Sequence, residues 1–194
     1  MSEGIHNSIV LMGCKHCGKS TQGRLLAQKL GVDFVDTDDE IGRLRGVDFR
    51  TLYKTKGVSE FSQAEEEACH KIITENEGRQ LVIATGGGIC DNPPALHELR
   101  VCDKFVFLRL DIDYSIARIM AKIEQNELGT FINAPAYVLD ENPTSMEQIE
   151  EILMKKYSAR YQQYQSLADV VVDIKNAPVE ENLKTLLGAL EIKD

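Results

Sequence analysis

The sequence predicts an α/β fold in which helices cover both faces of a parallel sheet. Short apolar runs alternate with longer segments of helical length along the whole chain. A glycine stands just past three of the helical segments, where it is a typical stop signal. Strands that alternate with helices are joined by right-handed crossovers. We therefore expect three layers, α/β/α, in a single domain over residues 1–194.

Five apolar runs are predicted to be the parallel strands. They are too short for core helices and are rich in β-branched or aromatic residues. They cover residues 9–12, 34–35, 81–84, 105–108 and 170–172. The helices predicted between and after them cover residues 19–30, 39–45, 60–76, 112–125, 146–163 and 179–190. In such sheets a ligand binds at the carboxyl ends of the strands, so the residues after each run are candidates for a site.

Composition excludes several classes of function. The chain is 43% hydrophobic and 27% charged, as expected of a soluble domain with one core. A formal net charge of -9 argues against a nucleic-acid partner. No run of eighteen apolar residues occurs, and residues 1–6 lack the features of a signal peptide. The five cysteines form no disulfide framework. We expect a cytoplasmic protein that has no membrane partner.

The first predicted strand leads into a phosphate-binding loop of the G-x-x-x-x-G-K-S type. Gly13 and Gly18 allow turns that a side chain would block, so that amide N–H groups can surround phosphates. Lys19 is placed for the β- and γ-phosphates and Ser20 for Mg²⁺. The motif therefore predicts a nucleoside triphosphate site. Its residues are Gly13, Cys14, Lys15, His16, Cys17, Gly18, Lys19, Ser20 and Thr21.

Cys14 and Cys17 form a C-x-x-C pattern inside this loop. A redox pair or half of a zinc site is weakly supported, because no second C-x-x-C exists and a four-coordinate metal would compete with the nucleotide. We interpret both as variable positions of the loop, and oxidation-sensitive ATP binding is the open alternative. Lys15 adds a positive charge to the loop, and His16 adds one when it is protonated.

Carboxylates follow the second predicted strand, in the acidic segment of residues 36–40. On an extended chain Asp36 and Asp38 would point to the same side, which lets one serve a metal ion and the other a substrate. Asp39 and Glu40 are interpreted as ordinary acids at a helix N-terminus, where the helix dipole favours them.

A triple glycine, Gly86-Gly87-Gly88, follows the third predicted strand. Such a segment is entropically costly to order and cannot pack through side chains. It indicates that the backbone comes close to a ligand or to the phosphate loop, and a plain turn is the alternative.

Together these motifs resemble the shikimate kinase family of small phosphate-loop kinases, over most of the chain. The resemblance rests on residues 13–21 and 36–41, on Gly57 with Glu60, Phe61 and Glu65, on residues 84–88, on Arg118, and on Arg160 with Tyr164, Ala168 and Asp169. It implies a P-loop kinase fold with a five-stranded parallel sheet. It also implies a substrate-binding segment at about residues 37–77 and a lid at about residues 119–145.

The resemblance implies a role for each candidate residue. Lys19 and Asp38 would be catalytic, with Asp38 polarising the accepting hydroxyl, while Ser20 and Asp36 would hold Mg²⁺. Arg118 and Pro178 match positions beside the adenine ring. The implied substrate-binding residues are Asp38, Ser62, Gly86, Gly87, Gly88 and Arg160. The implied activity is ATP-dependent phosphorylation of a hydroxyl on a small metabolite in aromatic amino acid biosynthesis, with shikimate as the first candidate.

Two features depart from the family pattern. The family usually holds the shikimate carboxylate with two arginines, but Ser62 takes the place of one, so only Arg160 remains. The loss of such a charge-assisted contact costs about 2 to 5 kcal/mol. No arginine lies between Arg118 and Arg160, so the lid lacks one for the transferring phosphoryl group. Candidate replacements are Lys15, His16 and Lys122.

Two other functions stay open on these grounds. A nucleotide-binding or regulatory protein with little transfer activity fits Ser62 and the arginine-free lid. A gluconate-kinase-like enzyme, acting on a sugar acid or polyol, is the second. Intact Lys19, Ser20, Asp36 and Asp38 favour an enzyme. The predicted partners are ATP and a small hydroxylated metabolite, and the sequence identifies no protein partner.

Overall fold

The computed structural model describes residues 7–127 and 129–192 of the chain. The start of the chain, on which the signal-peptide prediction rests, lies outside these residues. The strands are β1 (Ile9–Met12), β2 (Asp33–Asp36), β3 (Leu81–Ala84), β4 (Lys104–Leu110), β5 (Glu124–Gln125), β6 (Phe131–Ile132) and β7 (Val170–Ile174). The helices are α1 (Lys19–Leu30), α2 (Thr37–Arg45), α3 (Phe49–Glu75), α4 (Pro93–Leu99), α5 (Ile112–Met120), α6 (Ala136–Leu139), α7 (Met146–Leu167) and α8 (Val179–Ala189).

Five of the strands form one parallel sheet in the order β2-β3-β1-β4-β7. Leu11 of β1 pairs with Ala84 of β3, and Asp36 of β2 pairs with Ala84 from the other side. Because these registers align, β1, β2 and β3 end at the same edge of the sheet. The segments that follow them, including the phosphate loop and the triple glycine, are thereby brought together.

Alternate residues of the central strands face two separate apolar clusters. Val10 and Met12 of β1 pack with residues of α3, α4 and α7, while Ile9 and Leu11 pack with α1 and α8. All four β1 residues are buried, as expected of a strand that is covered on both faces. The predicted α/β/α fold with a five-stranded parallel sheet is confirmed.

Two helices start earlier than predicted, and a side chain caps each of them. The second helix begins at Thr37, not at residue 39, because the Asp36 carboxylate accepts a hydrogen bond from the backbone nitrogen of Asp38. Asp48 caps α3 in the same way, so that helix begins well before residue 60. The break at Gly57, with φ 80° and ψ −177°, divides α3 into two helical parts.

Several elements were not predicted correctly, among them α4, α5, α6 and the pair of β5 and β6. Helix α4 was missed, although Asn92 caps it through the Ala95 nitrogen and Pro93 stands at its first position, which is a recognisable start signal. The helix predicted to reach residue 125 ends at Met120, since β5 and β6 pair as an antiparallel hairpin. Across the part of the chain that the structure describes, no helix is both long enough and apolar enough to span a membrane.

Candidate active site

A cavity of about 360 Å³ opens where β1, β2 and β3 end. It combines the phosphate loop, the acidic segment after β2, the glycines after β3 and the first turn of α3. Its lining residues are Lys15, His16, Gly18, Lys19, Ser20, Thr21, Asp36, Asp38, Asp39, Phe49, Arg50, Thr85 and Gly87. A second concavity, of about 490 Å³, lies along α7 and contains none of the predicted site residues.

The phosphate loop has a backbone that only glycine tolerates at its two ends. Gly13 has φ 146°, and a Cβ there would lie 2.6 Å from the carbonyl oxygen of Leu108. Gly18 has φ 90° and starts α1. The ammonium of Lys19 reaches back across the loop and donates to the carbonyl oxygens of Gly13 at 2.8 Å and Cys14 at 3.1 Å. These bonds hold a cation at the centre of the loop.

The two loop cysteines lie under the loop rather than in the cavity, and both are buried. Burial raises the pKa of the Cys14 thiol to about 12, so it is protonated at neutral pH. No three His, Cys, Asp or Glu side chains within residues 7–127 and 129–192 are grouped to hold a metal ion. The structure therefore gives no support to half of a zinc site at Cys14 and Cys17.

Ser20 and Asp36 present a pair of oxygen ligands at the mouth of the loop. The Ser20 hydroxyl donates to Asp36 Oδ2 at 2.6 Å, and Asp36 Oδ1 accepts from the backbone nitrogen of Asp38 at 3.0 Å. Asp38 therefore stands in the first helical turn, not on an extended segment as predicted, yet both carboxylates still face the cavity. A hydroxyl beside a carboxylate suits Mg²⁺, which completes its shell with water and phosphate oxygens.

The half-buried carboxylate of Asp38 and the buried carboxylate of Glu65 both lie beside Gly86. Burial, helped by the charge of Asp36, raises the pKa of Asp38 to about 6. Burial raises the pKa of Glu65 to about 7, although Asn92 donates to Glu65 Oε2 at 2.9 Å. A Cβ on Gly86 would lie 2.9 Å from Glu65 Oε1 and 3.0 Å from Asp38 Oδ1. Because Gly86 has no side chain, there is room for these two oxygens beside it.

The Glu65 side chain, which the sequence analysis named only for the family resemblance, is buried. Asp38 Oδ1 has no hydrogen-bond partner among the described residues. Asp38 also lines the cavity, so its carboxylate has acceptor capacity that the described residues do not use.

Arg160 of α7 lies against the triple glycine. Its Nη1 donates to the carbonyl oxygen of Gly87 at 3.3 Å, and its Nη2 would lie 3.1 Å from a Cβ on Gly88. Asp91 accepts from Nε and forms an ion pair with Nη2. The guanidinium also lies over the ring of Tyr137, 5.0 Å from its centroid. Asp91 and Tyr137 were not identified from the sequence.

The positive groups at the cavity differ from the sequence expectation. Burial, together with the charges of Lys122 and Lys15, lowers the pKa of His16 to about 4, so His16 is neutral at pH 7. Lys122 lies outside the cavity lining, with its Nζ 3.5 Å from His16 Nε2. Lys15 lines the cavity, and so does Arg50, which the sequence reasoning missed. Arg50 lies in the first turn of α3, where the helix dipole disfavours a cation. A cation at such an unfavourable position is the sequence feature that indicates a functional residue here.

The two residues predicted beside the adenine ring flank the phosphate loop and α1. Arg118 donates to the carbonyl oxygen of His16 at 3.3 Å. Pro178 caps α8, and Gln22 of α1 holds that turn by donating to the Val179 carbonyl at 3.0 Å.

Ser62 lies behind the cavity, on the second part of α3. Its carbonyl accepts from Asn92 Nδ2 at 2.9 Å, the same amide group that holds Glu65. The predicted lid segment contributes Phe131 and Val138 to the core cluster that also contains Tyr157 of α7.

Comparisons with known proteins agree with this geometry. A family model described as shikimate kinase matches residues 15–191. A shikimate kinase of Streptomyces coelicolor is 31% identical over 186 residues, which is 96% of each chain. A shikimate kinase of Francisella tularensis subsp. holarctica is 30% identical over 173 residues, covering 89% of this chain and 88% of the relative.

Solved structures show the same fold. The structure of shikimate kinase from Acinetobacter baumannii in complex with shikimate superposes with a TM-score of 0.72 at 25% identity, over 95% of this chain and 93% of that one. Shikimate kinase from Bacteroides thetaiotaomicron gives a TM-score of 0.71 at 22% identity, over 97% of this chain and 99% of that one.

Proposed function

This chain belongs to the shikimate kinase family, and on that premise we propose that it transfers the γ-phosphoryl group of ATP to a hydroxyl of shikimate. It is a small-molecule kinase with ATP as its co-substrate. The regulatory and gluconate-kinase-like alternatives are not favoured, because the comparisons point to shikimate kinases over nearly the whole chain. One observation carries the proposal: the carboxylate of Asp38, one of whose oxygens has no hydrogen-bond partner among the described residues, lines the same cavity as the phosphate loop.

The donor half consists of the loop amides, Lys19, Ser20 and Asp36. When ATP binds, Lys19 exchanges its carbonyl partners for oxygens of the β- and γ-phosphates, which are stronger acceptors. Ser20 and Asp36 would hold Mg²⁺. The ion, when bound, neutralises charge on the β- and γ-phosphates.

Asp38 is the proposed partner of the accepting hydroxyl. With a pKa of about 6 it is ionised at neutral pH, yet basic enough to accept the hydroxyl proton as the oxygen attacks phosphorus. Gly86 supports this role, since any side chain there would displace the carboxylate oxygen. The nearness of Asp38 to the phosphate loop supports in-line attack, because positioning supplies much of the rate of phosphoryl transfer.

Lys15 and Arg50 are the proposed source of the positive charge that the lid lacks. Both line the cavity beside Lys19. Burial, followed by the charge of Arg50, lowers the pKa of Lys15, as expected where two cations line the same cavity. Closely held cations repel each other until an anion binds between them, so a triphosphate that gains charge in the transition state relieves this repulsion.

The experiment that tests the function is ATP consumption with and without shikimate, beside a panel of cyclitols, sugar acids and polyols. We expect shikimate to raise consumption and shikimate phosphate to form. Lys19→Ala should abolish turnover, while Lys184→Ala, an exposed lysine on α8, should retain it. Faster turnover of another compound on the panel would replace shikimate as the acceptor. ATP binding without turnover of any compound would favour a regulatory role.

A further inference from the structure

The guanidinium of Arg160 already has partners within the chain. Its Nε donates to Asp91 Oδ2 at 3.0 Å, and its Nη2 forms an ion pair with the same oxygen at 2.8 Å. Its Nη1 donates to the Gly87 carbonyl oxygen, and the Tyr137 ring covers one face. The Arg160 side chain is only 13% exposed. The edge with which an arginine binds a carboxylate of a ligand is therefore in use by a carboxylate of the chain itself.

Further acidic side chains lie near this pair. Glu65 lies behind the same glycine segment, and the charges of Arg160, Asp38 and Asp91 all act on its pKa. Ser62, on the same part of α3 as Glu65, has no charge to offer. Arg160 is thus balanced by Asp91 before any acceptor arrives, and an acceptor carboxylate would enter a region with three acids.

We propose that Asp91 is a specificity-determining residue, which competes with the acceptor's carboxylate for Arg160 and makes this kinase discriminate weakly between an acid acceptor and its neutral analogue. An acid acceptor must take the guanidinium from Asp91, and the two carboxylates then stand near each other, which disfavours binding. Asp91 is 50% exposed, so it can rotate into solvent and acid acceptors are not excluded. This inference rests on the proposed function, since it requires the acceptor to lie beside Arg160.

The test is calorimetric titration of the full chain, with ADP and Mg²⁺ present, by shikimate and by the analogue in which a hydroxymethyl group replaces the carboxylate. In the unaltered protein we expect the two dissociation constants to agree within about threefold, because Asp91 already holds the Nε and Nη2 edge of Arg160. Asp91→Asn keeps the shape of the side chain and removes its charge. It should lower the dissociation constant of shikimate by about tenfold and leave that of the neutral analogue unchanged.

Asp33→Asn is the matched control, because Asp33 pairs with Arg79 at the opposite end of the strands. It should change neither dissociation constant. Asp91→Ala should have the same effect as Asp91→Asn, and it replaces the asparagine variant in the titration if that variant does not fold. Unchanged or weaker shikimate binding in both variants would overturn the role of Asp91 and show instead that it orients Arg160. Binding of neither compound to any variant would overturn the proposed acceptor itself.

Discussion

Gly87 lies so close to Lys15 that a Cβ at residue 87 would stand 2.9 Å from the backbone nitrogen of Lys15. The same Cβ would stand 3.3 Å from the Lys15 Cα. The glycine segment that carries the acceptor side is therefore in backbone contact with the loop that carries the donor side. Neither backbone can move without moving the other.

Gly87→Ala should displace the phosphate loop, because no flexible side chain is available to give way at that contact. We expect kcat/KM for ATP to fall by about a hundredfold, the size of effect that follows from misplacing reacting groups by about 1 Å. Steady-state kinetics with varied ATP measures it. Gly188→Ala is the control, since no atom lies within 4 Å of the Cβ that it adds to α8. Equal kinetics for the two variants would contradict the contact.

Arg50→Ala tests the proposed replacement for a lid arginine. We expect kcat to fall by about a hundredfold, less than the loss of a sole catalytic arginine because Lys15 and Lys19 remain. The KM for ATP should change by less than about threefold, since the charge is needed chiefly in the transition state.

Added guanidinium chloride should restore part of the activity of Arg50→Ala, because the residue is exposed and its site is open to a small cation. Lys54→Ala, one turn further along α3, is the matched control and should behave as the unaltered protein. A fall in kcat that guanidinium does not restore would assign Arg50 a structural role.

The fold and the donor half could be predicted because local patterns encode them. Strand length, helix periodicity and the spacing from Gly13 to Ser20 are all properties of short stretches of sequence. The acceptor half depends on contacts between distant residues. Glu65 accepts a hydrogen bond from Asn92, which lies 27 residues later, and Asp91 accepts one from Arg160, which lies 69 residues later. The hydrophobic periodicity of the sequence does not predict such pairs.

Ser62→Arg should strengthen binding of shikimate if the rest of the pocket resembles that of the family. A second charge-assisted contact should lower the dissociation constant of shikimate by about tenfold or more, and calorimetry measures this change. The new arginine would stand near Glu65, which competes for it. Gln63→Arg adds the same charge at an exposed neighbour and is the control. Unchanged affinity in Ser62→Arg would mean that this side of the pocket no longer recognises a carboxylate.

Asp38 should govern the pH dependence of catalysis. Because its pKa is raised to about 6, the basic form is lost as the pH falls below that value. We expect log kcat/KM for the acceptor to be flat above about pH 7 and to decline with unit slope below about pH 6. Asp38→Asn should lower kcat by about a hundredfold or more and leave ATP affinity nearly unchanged. A profile that is flat down to pH 5 would exclude Asp38 as the proton acceptor.

Glu65 should make the protein less stable as the pH rises. Its folded pKa, about 7, exceeds the ordinary value of 4.5, so the folded state keeps a proton that the unfolded state has released. The stabilisation is full below pH 4.5 and is lost as the pH rises to about 7. Other groups titrate in this range, and the neutral His16 shifts stability in the opposite direction, so a variant must isolate the Glu65 contribution.

Glu65→Gln isolates it, because glutamine can still accept from Asn92 but does not titrate. The free energy of unfolding of the unaltered protein minus that of Glu65→Gln should fall by about 2 to 3 kcal/mol between pH 4.5 and 7 and then level off. Urea denaturation at each pH measures it. Glu66→Gln, at the next position of α3, should show no such trend. A difference that is constant with pH would mean that Glu65 is ionised in the folded protein and that a cation compensates it.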